Sequence, residues 1–170
     1  MNENKNFIIE RMFKMGIFST LFGKSTKNIP SVCNVDIKSY TGTWYEIARL
    51  PNNFEKGLEN VTATYNIQND DKIEVINSGV KNGKKKVTRG VAWLRNKNCT
   101  GELFVSFFWI FKSEYNIIRL DEKNYSFAVV TSSTMNYLWI LSRTPKISNE
   151  LYNDLISYVA SKGFDVSKIE

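Results

Sequence analysis

Downstream of Pro30 the chain is divided into short runs in which hydrophobic and polar residues alternate, separated by polar turns. Alternation with a period of two is typical of β-strands that bury one face and expose the other. The runs are rich in β-branched and aromatic residues, which favour strands. Eight segments are therefore predicted to be strands: Gly42–Leu50, Val61–Gln68, Ile73–Val80, Lys85–Arg95, Leu103–Phe111, Tyr115–Leu120, Tyr125–Ser132 and Tyr137–Arg143.

The connections between these segments are short, as antiparallel neighbours require. Asn82-Gly83 indicates a two-residue hairpin, because both central residues of a type I′ turn need positive φ. Even spacing favours an all-β sandwich or an up-and-down barrel. After Pro145 the pattern becomes helical over residues 148–162, with Gly163 as its end and a short strand or tail beyond it. We expect this helix to pack outside the barrel through one apolar face: Leu151, Leu155, Ile156 and Val159.

The first 30 residues differ from the rest and are interpreted as an N-terminal arm, with residues 31–170 as one domain. Apolar side chains in the arm share one face at helical spacing: Phe7, Ile8, Met12, Met15, Phe18 and Phe22. This pattern predicts a short amphipathic helix. Three alternatives stay open for it: a helix packed on the domain, a helix in a membrane interface, or a loosely ordered arm.

No export signal or membrane span is recognisable in the arm. Glu10, Arg11 and Lys14 interrupt any signal-peptide core, and no apolar run approaches the roughly 20 residues of a span. No apolar core precedes Cys33, so a lipoprotein processing site is not expected there. We therefore expect the protein in the cytoplasm or at the periphery of a membrane.

The composition argues for binding rather than catalysis. The 170 residues include no histidine, which excludes Ser-His-Asp or Cys-His activation, a histidine base and histidine-ligated metals. Two cysteines are too few for a thiolate zinc site or an iron–sulfur cluster. We expect no metal, no cofactor and no catalytic residue. Cys33 and Cys99 could form one disulfide in an exported chain, but free thiols are expected, because two cysteines do not make a disulfide framework.

The net charge of +6 is concentrated in one region. Residues 81–97 contain seven basic side chains and no acidic one. Such a run either is a solvated hairpin with charged edges or contacts phosphate groups of a lipid surface or nucleic acid. No nucleic-acid-binding motif accompanies it, so we expect no nucleic acid partner.

Alternate residues of a closed barrel point into it, and eight strands leave room for side chains or one small ligand. One consistent register gives an aromatic interior with few polar groups, which suits a long apolar molecule with one polar or anionic end. The side chains predicted to point inward are Ala63, Tyr65, Val75, Asn77, Gly79, Val105, Phe107, Trp109, Tyr115, Ile117, Tyr137, Trp139, Leu141 and Arg143, with Lys81 at the end of its strand.

Three motifs in order resemble the lipocalin family, and in particular its bacterial lipocalin and apolipoprotein D branch. The first, Gly42-Thr43-Trp44-Tyr45, is similar to the Gly-x-Trp-Tyr signature, and the segment 53–65 is similar to the first loop and second strand of that branch. Asp121 with Tyr125 resembles the second signature and the segment 137–145 the third. The segment 163–168 resembles the bacterial C-terminus, so the resemblance runs from Val35 to Lys168.

The resemblance implies an all-β, eight-stranded antiparallel barrel that forms a one-ended cup for fatty acids or lysophospholipids. Trp44 and Arg143 would close its bottom, with the guanidinium over the indole. Lys81 would pair with a ligand carboxylate or phosphate, unless it points into solvent. Related bacterial proteins are outer-membrane lipoproteins, and the chain would be a monomer or a homodimer. The ligand-binding residues implied are Phe54, Tyr65, Asn77, Lys81, Phe107, Tyr115 and Trp139.

Two other functions remain open from the sequence. A lipocalin-scaffold enzyme acting on a lipid would need an acid–base group in the cup, for which Glu46, Lys81 and the tyrosines are the candidates. A membrane-surface module would act through residues 7–22 and the basic hairpin, with an anionic membrane as its partner.

Overall fold

Each strand pairs antiparallel with the next along the chain, and the last pairs with the first, so that eight strands form a closed barrel. This is a computed structural model, and it describes residues 23–69, 72–107 and 111–170. The strands are β1 (Gly42–Arg49), β2 (Glu59–Asn69), β3 (Lys72–Lys81), β4 (Lys84–Leu94), β5 (Glu102–Phe107), β6 (Phe111–Leu120), β7 (Phe127–Thr131) and β8 (Leu138–Ser142). The predicted up-and-down barrel is confirmed.

Among the described residues, three helical segments accompany the barrel, namely α1 (Ile37–Tyr40), α2 (Asn149–Ser161) and a 3-10 turn (Val166–Lys168). The Asp36 carboxylate caps α1 by accepting from the amides of Lys38 and Ser39. The Ser148 hydroxyl caps α2, and Gly163, with φ of +89°, ends it as the sequence predicts.

Within the part of the chain that the structure describes, hydrophobic side chains form two clusters on opposite faces of the barrel wall. The inner cluster lines the barrel and includes Trp44, Tyr65 and Ile117. The outer cluster lies between the wall and α2, where Leu155 and Val159 are fully buried. This placement confirms that the C-terminal helix packs outside the barrel through its apolar face.

The two ends of the barrel differ, and we name them by their residues. The closed end consists of α1, the start of β1 and the loops 95–101 and 121–126. The mouth consists of the segments 51–59, 81–86 and 132–137 at the opposite end. At its tip, Asn82 and Gly83 both have positive φ, which confirms the predicted hairpin between β3 and β4.

The boundary between the fifth and sixth strands was predicted wrongly. The predicted strand Leu103–Phe111 is divided in the structure, where β5 ends at Phe107 and β6 already begins at Phe111. Phe107 and Phe111 are direct partners across the two strands. The apolar run 103–111 contains no glycine, asparagine or proline to mark the reversal, which explains the error. Trp109, expected to point inward, lies outside the described residues.

The expectation that both cysteines are free thiols is wrong, because Cys33 and Cys99 form a disulfide. The two residues are 66 positions apart in the sequence, so neither their spacing nor their local context indicates the contact. The barrel brings them together at the closed end, where the amide and hydroxyl of Thr100 both donate to the carbonyl of Cys33. The disulfide ties the segment before α1 to the loop between β4 and β5.

The N-terminal segment of the described chain runs along the barrel from the mouth to the closed end. Ser25 forms an isolated bridge with Thr134, and the hydroxyl of buried Thr26 donates to the carbonyl of Ser132. Further along, the amide of Val32 donates to the carbonyl of Ile117. The predicted amphipathic helix of the arm lies within residues 1–22, outside the described residues. Within the described part of the chain, no helix is long and apolar enough to cross a bilayer.

Candidate functional site: the interior and mouth of the barrel

The closed end is sealed by a cation stacked on a fully buried indole. The guanidinium carbon of Arg143 lies 3.9 Å from the centroid of the Trp44 ring. All three nitrogens of this guanidinium donate to backbone carbonyls, those of Ser39, Thr43 and Tyr125. The indole nitrogen of Trp44 donates to the carbonyl of Tyr40. Such a stack is worth about 0.5–2 kcal/mol, and more when desolvated, so the pair stabilises this end of the barrel; its role in closure stays a prediction.

Three tyrosine hydroxyls form a chain at the base of the interior. The hydroxyl of Tyr115 lies 2.7 Å from that of Tyr40 and 2.8 Å from that of Tyr65. Burial raises the pKa of all three, that of Tyr65 to about 12, so the hydroxyls stay protonated. A cavity of about 20 Å³ lies beside these rings and is otherwise lined by small and aliphatic side chains.

Above this base, the inward register predicted from the sequence matches the strand pairing. Ala63 is opposite Asn77 and Trp139 is opposite Val130, and directly opposed residues point to the same face. The interior cluster contains these predicted inward residues: Ala63, Tyr65, Val75, Val105, Phe107, Tyr115, Ile117, Trp139 and Leu141. The interior of the described barrel is thus mainly apolar and aromatic.

Two of the predicted ligand-binding positions have features that the sequence does not indicate. A Cβ atom at Gly90 would lie 2.6 Å from the ring of Phe107, so the glycine leaves room for this ring against the wall. The side-chain oxygen of Asn77 is buried and has no hydrogen-bond partner among the described residues. A buried acceptor without a donor is costly unless a ligand or water supplies one.

At the mouth, the structure brings Phe54 into contact with the interior aromatic residues. The ring of Phe54 is stacked on Tyr137 at 5.8 Å, and Tyr137 is stacked on Trp139 at 6.1 Å. Phe54 is 63% exposed, so this aromatic row runs from the interior wall to the surface. Lys81 is exposed at the rim, and its ammonium group donates to the carbonyl of Lys56 at 2.6 Å.

A group of charged side chains inside the barrel near the mouth was only partly predicted. Glu46 and Arg49 form an ion pair, and Arg49 also pairs with Glu170 at 2.8 Å. The carboxylate of buried Glu55 accepts from the indole nitrogen of Trp139 at 2.9 Å. The guanidinium of Arg49 therefore pairs with two carboxylates and also donates to the backbone carbonyl of Glu55. Burial first, and the charge of Glu55 second, raise the pKa of Glu46 to about 7.

The sequence analysis singled out Glu46 but missed Arg49, Glu55 and Glu170. A β-bulge after Glu46 is the reason that Glu46 and Arg49 face the same side, since strict alternation would place them on opposite faces. Glu170 reaches Arg49 because their backbones exchange two hydrogen bonds. Neither feature has a signal in the sequence. Among the described residues, no group of three potential ligands could hold a metal ion.

A closed eight-stranded barrel with a sealed end, an apolar interior and an open end defines the class of cup-shaped binding proteins. A family model for the Lipocalin-like domain matches residues 35–170. The chain belongs to the lipocalin family, whose members bind hydrophobic ligands and are mainly non-catalytic.

Curated relatives support the same assignment. The chain is 44% identical over 144 residues to the outer membrane lipoprotein Blc of Escherichia coli (strain K12), covering 84% of this chain and 81% of the relative. It is 39% identical to the putative lipocalin R877 of Acanthamoeba polyphaga mimivirus over 85% and 88% of the two chains. It is 32% identical to mouse (Mus musculus) apolipoprotein D over 91% and 87%.

Among solved structures, insecticyanin from the tobacco hornworm Manduca sexta matches with a TM-score of 0.66 at 20% identity. The match covers 84% of this chain and 82% of that one. At this identity the likeness concerns the fold.

Proposed function

We propose that this protein binds and carries a lipid with one long acyl chain, a fatty acid or a lysophospholipid, in the interior of its barrel. One observation supports the proposal: the interior of the barrel is apolar and aromatic, whereas the mouth is polar and the opposite end is sealed. Burying an acyl chain contributes about 0.8 kcal/mol for each CH₂, offset by the cost of ordering the ligand. Binding at micromolar concentrations therefore needs no catalytic group.

The orientation of the ligand follows from where the charges lie. The apolar chain occupies the interior around Tyr65, Phe107 and Trp139, while the anionic end lies at the rim near Lys81. The buried oxygen of Asn77 is available to a hydroxyl or water that accompanies the ligand. Exchange takes place through the mouth, for which the sequence predicts peripheral contact with an anionic membrane.

The test is a titration with a fluorescent fatty acid, comparing Asn77→Trp with Ser78→Trp. Asn77 points inward on β3, whereas its neighbour Ser78 points outward, where its hydroxyl contacts that of Thr62. A tryptophan at position 77 fills the interior and should weaken binding at least tenfold. The same side chain at position 78 adds bulk outside and should leave the affinity near that of the wild type. Equal affinities for the two folded variants would contradict the proposed binding site.

The proposal includes a non-catalytic role, and a variant of Glu46 can test it. Its pKa near 7 would suit an acid–base group, yet its carboxylate is engaged by Arg49 inside the wall. We therefore interpret Glu46 as a structural partner of Arg49. Hydrolysis or isomerisation of a bound lipid by the wild type, lost in Glu46→Gln, would establish an enzyme instead.

A further inference from the structure

The mouth carries a concentration of positive charge that other parts of the molecule do not balance. The described mouth segments, 51–59, 81–86 and 132–137, contain five exposed lysines and one exposed carboxylate, that of Glu59. The lysines are Lys56, Lys81, Lys84, Lys85 and Lys86. None of the five forms an ion pair with a described residue, and the same holds for the exposed lysines around the closed end, so the mouth is distinguished by how close together its lysines lie.

The fold itself crowds these charges together. Lys81 and Lys84 are direct partners across the hairpin, and Lys86 lies opposite Gly79 on the same face. Like charges directly opposite each other destabilise a strand pair, so an anionic partner would relieve this repulsion. The hairpin tip is unobstructed, because a Cβ atom at Gly83 would meet nothing within 4 Å.

An exposed aromatic side chain lies on the same rim as the lysines. Phe54 and Lys56 both lie in the first loop, between β1 and β2. The carbonyl of Lys56 accepts from the ammonium group of Lys81, which holds this loop against the hairpin. The exposed ring of Phe54 continues the aromatic row of Tyr137 and Trp139 out of the interior. Aromatic rings beside basic side chains are characteristic of surfaces that enter the headgroup region of a bilayer.

The described chain also begins at this end. The carbonyl of Lys24 accepts from the amide of Met135, and Gly23 lies against the side chain of Asn136 in the mouth. Residues 1–22, whose sequence predicts an amphipathic helix, are therefore joined to the domain at the mouth. The basic and aromatic side chains of the described residues thus lie at the end of the barrel where the described chain begins.

We propose that the mouth is a docking surface for an anionic lipid bilayer, which places the opening of the cup against the membrane. This inference rests on the proposed function, since it lets an acyl chain pass between the bilayer and the interior without crossing water. Lysines attract the anionic headgroups over about a Debye length, and Phe54 enters the interface once contact is made. Nucleic acid, the other polyanion, would use the lysines but not the row of aromatic residues leading into the interior.

The experiment is co-sedimentation of the full chain with vesicles of phosphatidylcholine, with or without one third phosphatidylglycerol. The variant Lys84→Gln/Lys85→Gln/Lys86→Gln removes three charges from the mouth. Lys72→Gln/Lys123→Gln/Lys146→Gln removes three exposed charges around the closed end and is the matched control. Each lysine near the membrane surface contributes about fivefold to vesicle affinity. The mouth variant, which lacks three of them, should therefore bind anionic vesicles roughly 100-fold more weakly. The control should stay within a few-fold of the wild type, and high salt should abolish the difference.

Each result decides the proposal. Equal losses in the two triple variants would show attraction by net charge alone and would overturn a specific docking surface. Retention of a single-stranded oligonucleotide with no binding of anionic vesicles would point to nucleic acid and overturn it as well. Phe54→Ser should weaken vesicle binding further but leave oligonucleotide binding unchanged. Fatty acid titration in the absence of vesicles tests the proposed function separately, because the cup can bind its ligand in solution even if the mouth does not dock.

Discussion

The two ends of the barrel satisfy their polar groups in different ways. At the closed end, Arg143 donates to three carbonyls, and the carboxylate of Asp121 accepts from three amides and the hydroxyl of Ser126. At the mouth, exposed lysines have no ion-pair partner among the described residues, and Phe54 lies largely in solvent. The closed end therefore stabilises the fold, whereas the mouth keeps side chains available to a ligand or a surface.

The largest effect should come from removing the aromatic side chain that seals the base. Trp44→Ala leaves a large cavity at a fully buried position and should lower the free energy of unfolding by about 4 kcal/mol. The matched change at the mouth, Phe54→Ala, should cost less than about 1 kcal/mol because that ring is mostly exposed. Urea denaturation of the two variants and the wild type measures both values. Similar decreases in the free energy of unfolding for the two variants would contradict a stabilising role confined to the closed end.

The disulfide should contribute the next largest effect, again at the closed end. Linking residues 66 positions apart restricts the unfolded chain, and Cys33→Ser/Cys99→Ser should lower the free energy of unfolding by about 3 kcal/mol. A reductant should have the same effect on the wild type and none on the double variant. Because the bond is far from the mouth, fatty acid affinity of the folded variant should stay unchanged. A large loss of affinity would show that the two ends are coupled.

The signature motifs of the closed end could be predicted from the sequence, whereas the disulfide at the same end could not. The three motifs around Trp44, Asp121 and Arg143 meet there, where Arg143 contacts Trp44 and Ser39 from a distant part of the chain. Tyr125, for example, has φ of +53°, and its carbonyl accepts from Arg143 while its hydroxyl accepts from the amide of Asp36. These contacts are tertiary, and the sequence indicates the positions through their resemblance to the family motifs.

The charged groups near the mouth could not be predicted in the same way. Arg49 meets Glu46 because of a bulge, and it meets Glu170 through contact between distant parts of the chain. The disulfide likewise depends on tertiary proximity alone. Period-two alternation identifies which residues of a regular strand point inward, but it does not report register shifts or long-range contacts.

Glu46 should make the free energy of unfolding depend on pH, with an effect smaller than that of the disulfide. Its pKa is about 7 in the folded protein and near 4.5 in the absence of burial, so the folded state binds the proton more tightly. Stability should therefore fall as pH rises through this window, by on the order of 2 kcal/mol between about pH 5 and pH 8. Urea denaturation across this range should show the decrease in the wild type and a smaller one in Glu46→Gln. Glu59→Gln, at an exposed position of the mouth, is the control and should follow the wild type.

The smallest effect is expected for a change of Lys81, which tests whether the mouth binds the anionic end of a ligand. Its ammonium group uses one donor on the carbonyl of Lys56, which leaves two for the anionic end of a ligand. Because Lys81 is exposed, water and salt screen the pair, and Lys81→Gln should weaken fatty acid binding only about two- to fivefold.

The control separates charge pairing by Lys81 from its contact with the first loop. A fatty alcohol of the same chain length has no negative charge, so its affinity should be the same for the wild type and Lys81→Gln. Lys81→Arg should retain most of the fatty acid affinity, and high salt should remove the difference between the variants. If the alcohol and the acid lose affinity equally, Lys81 acts by holding the first loop through Lys56. The mouth would then share the structural role of the closed end at this position.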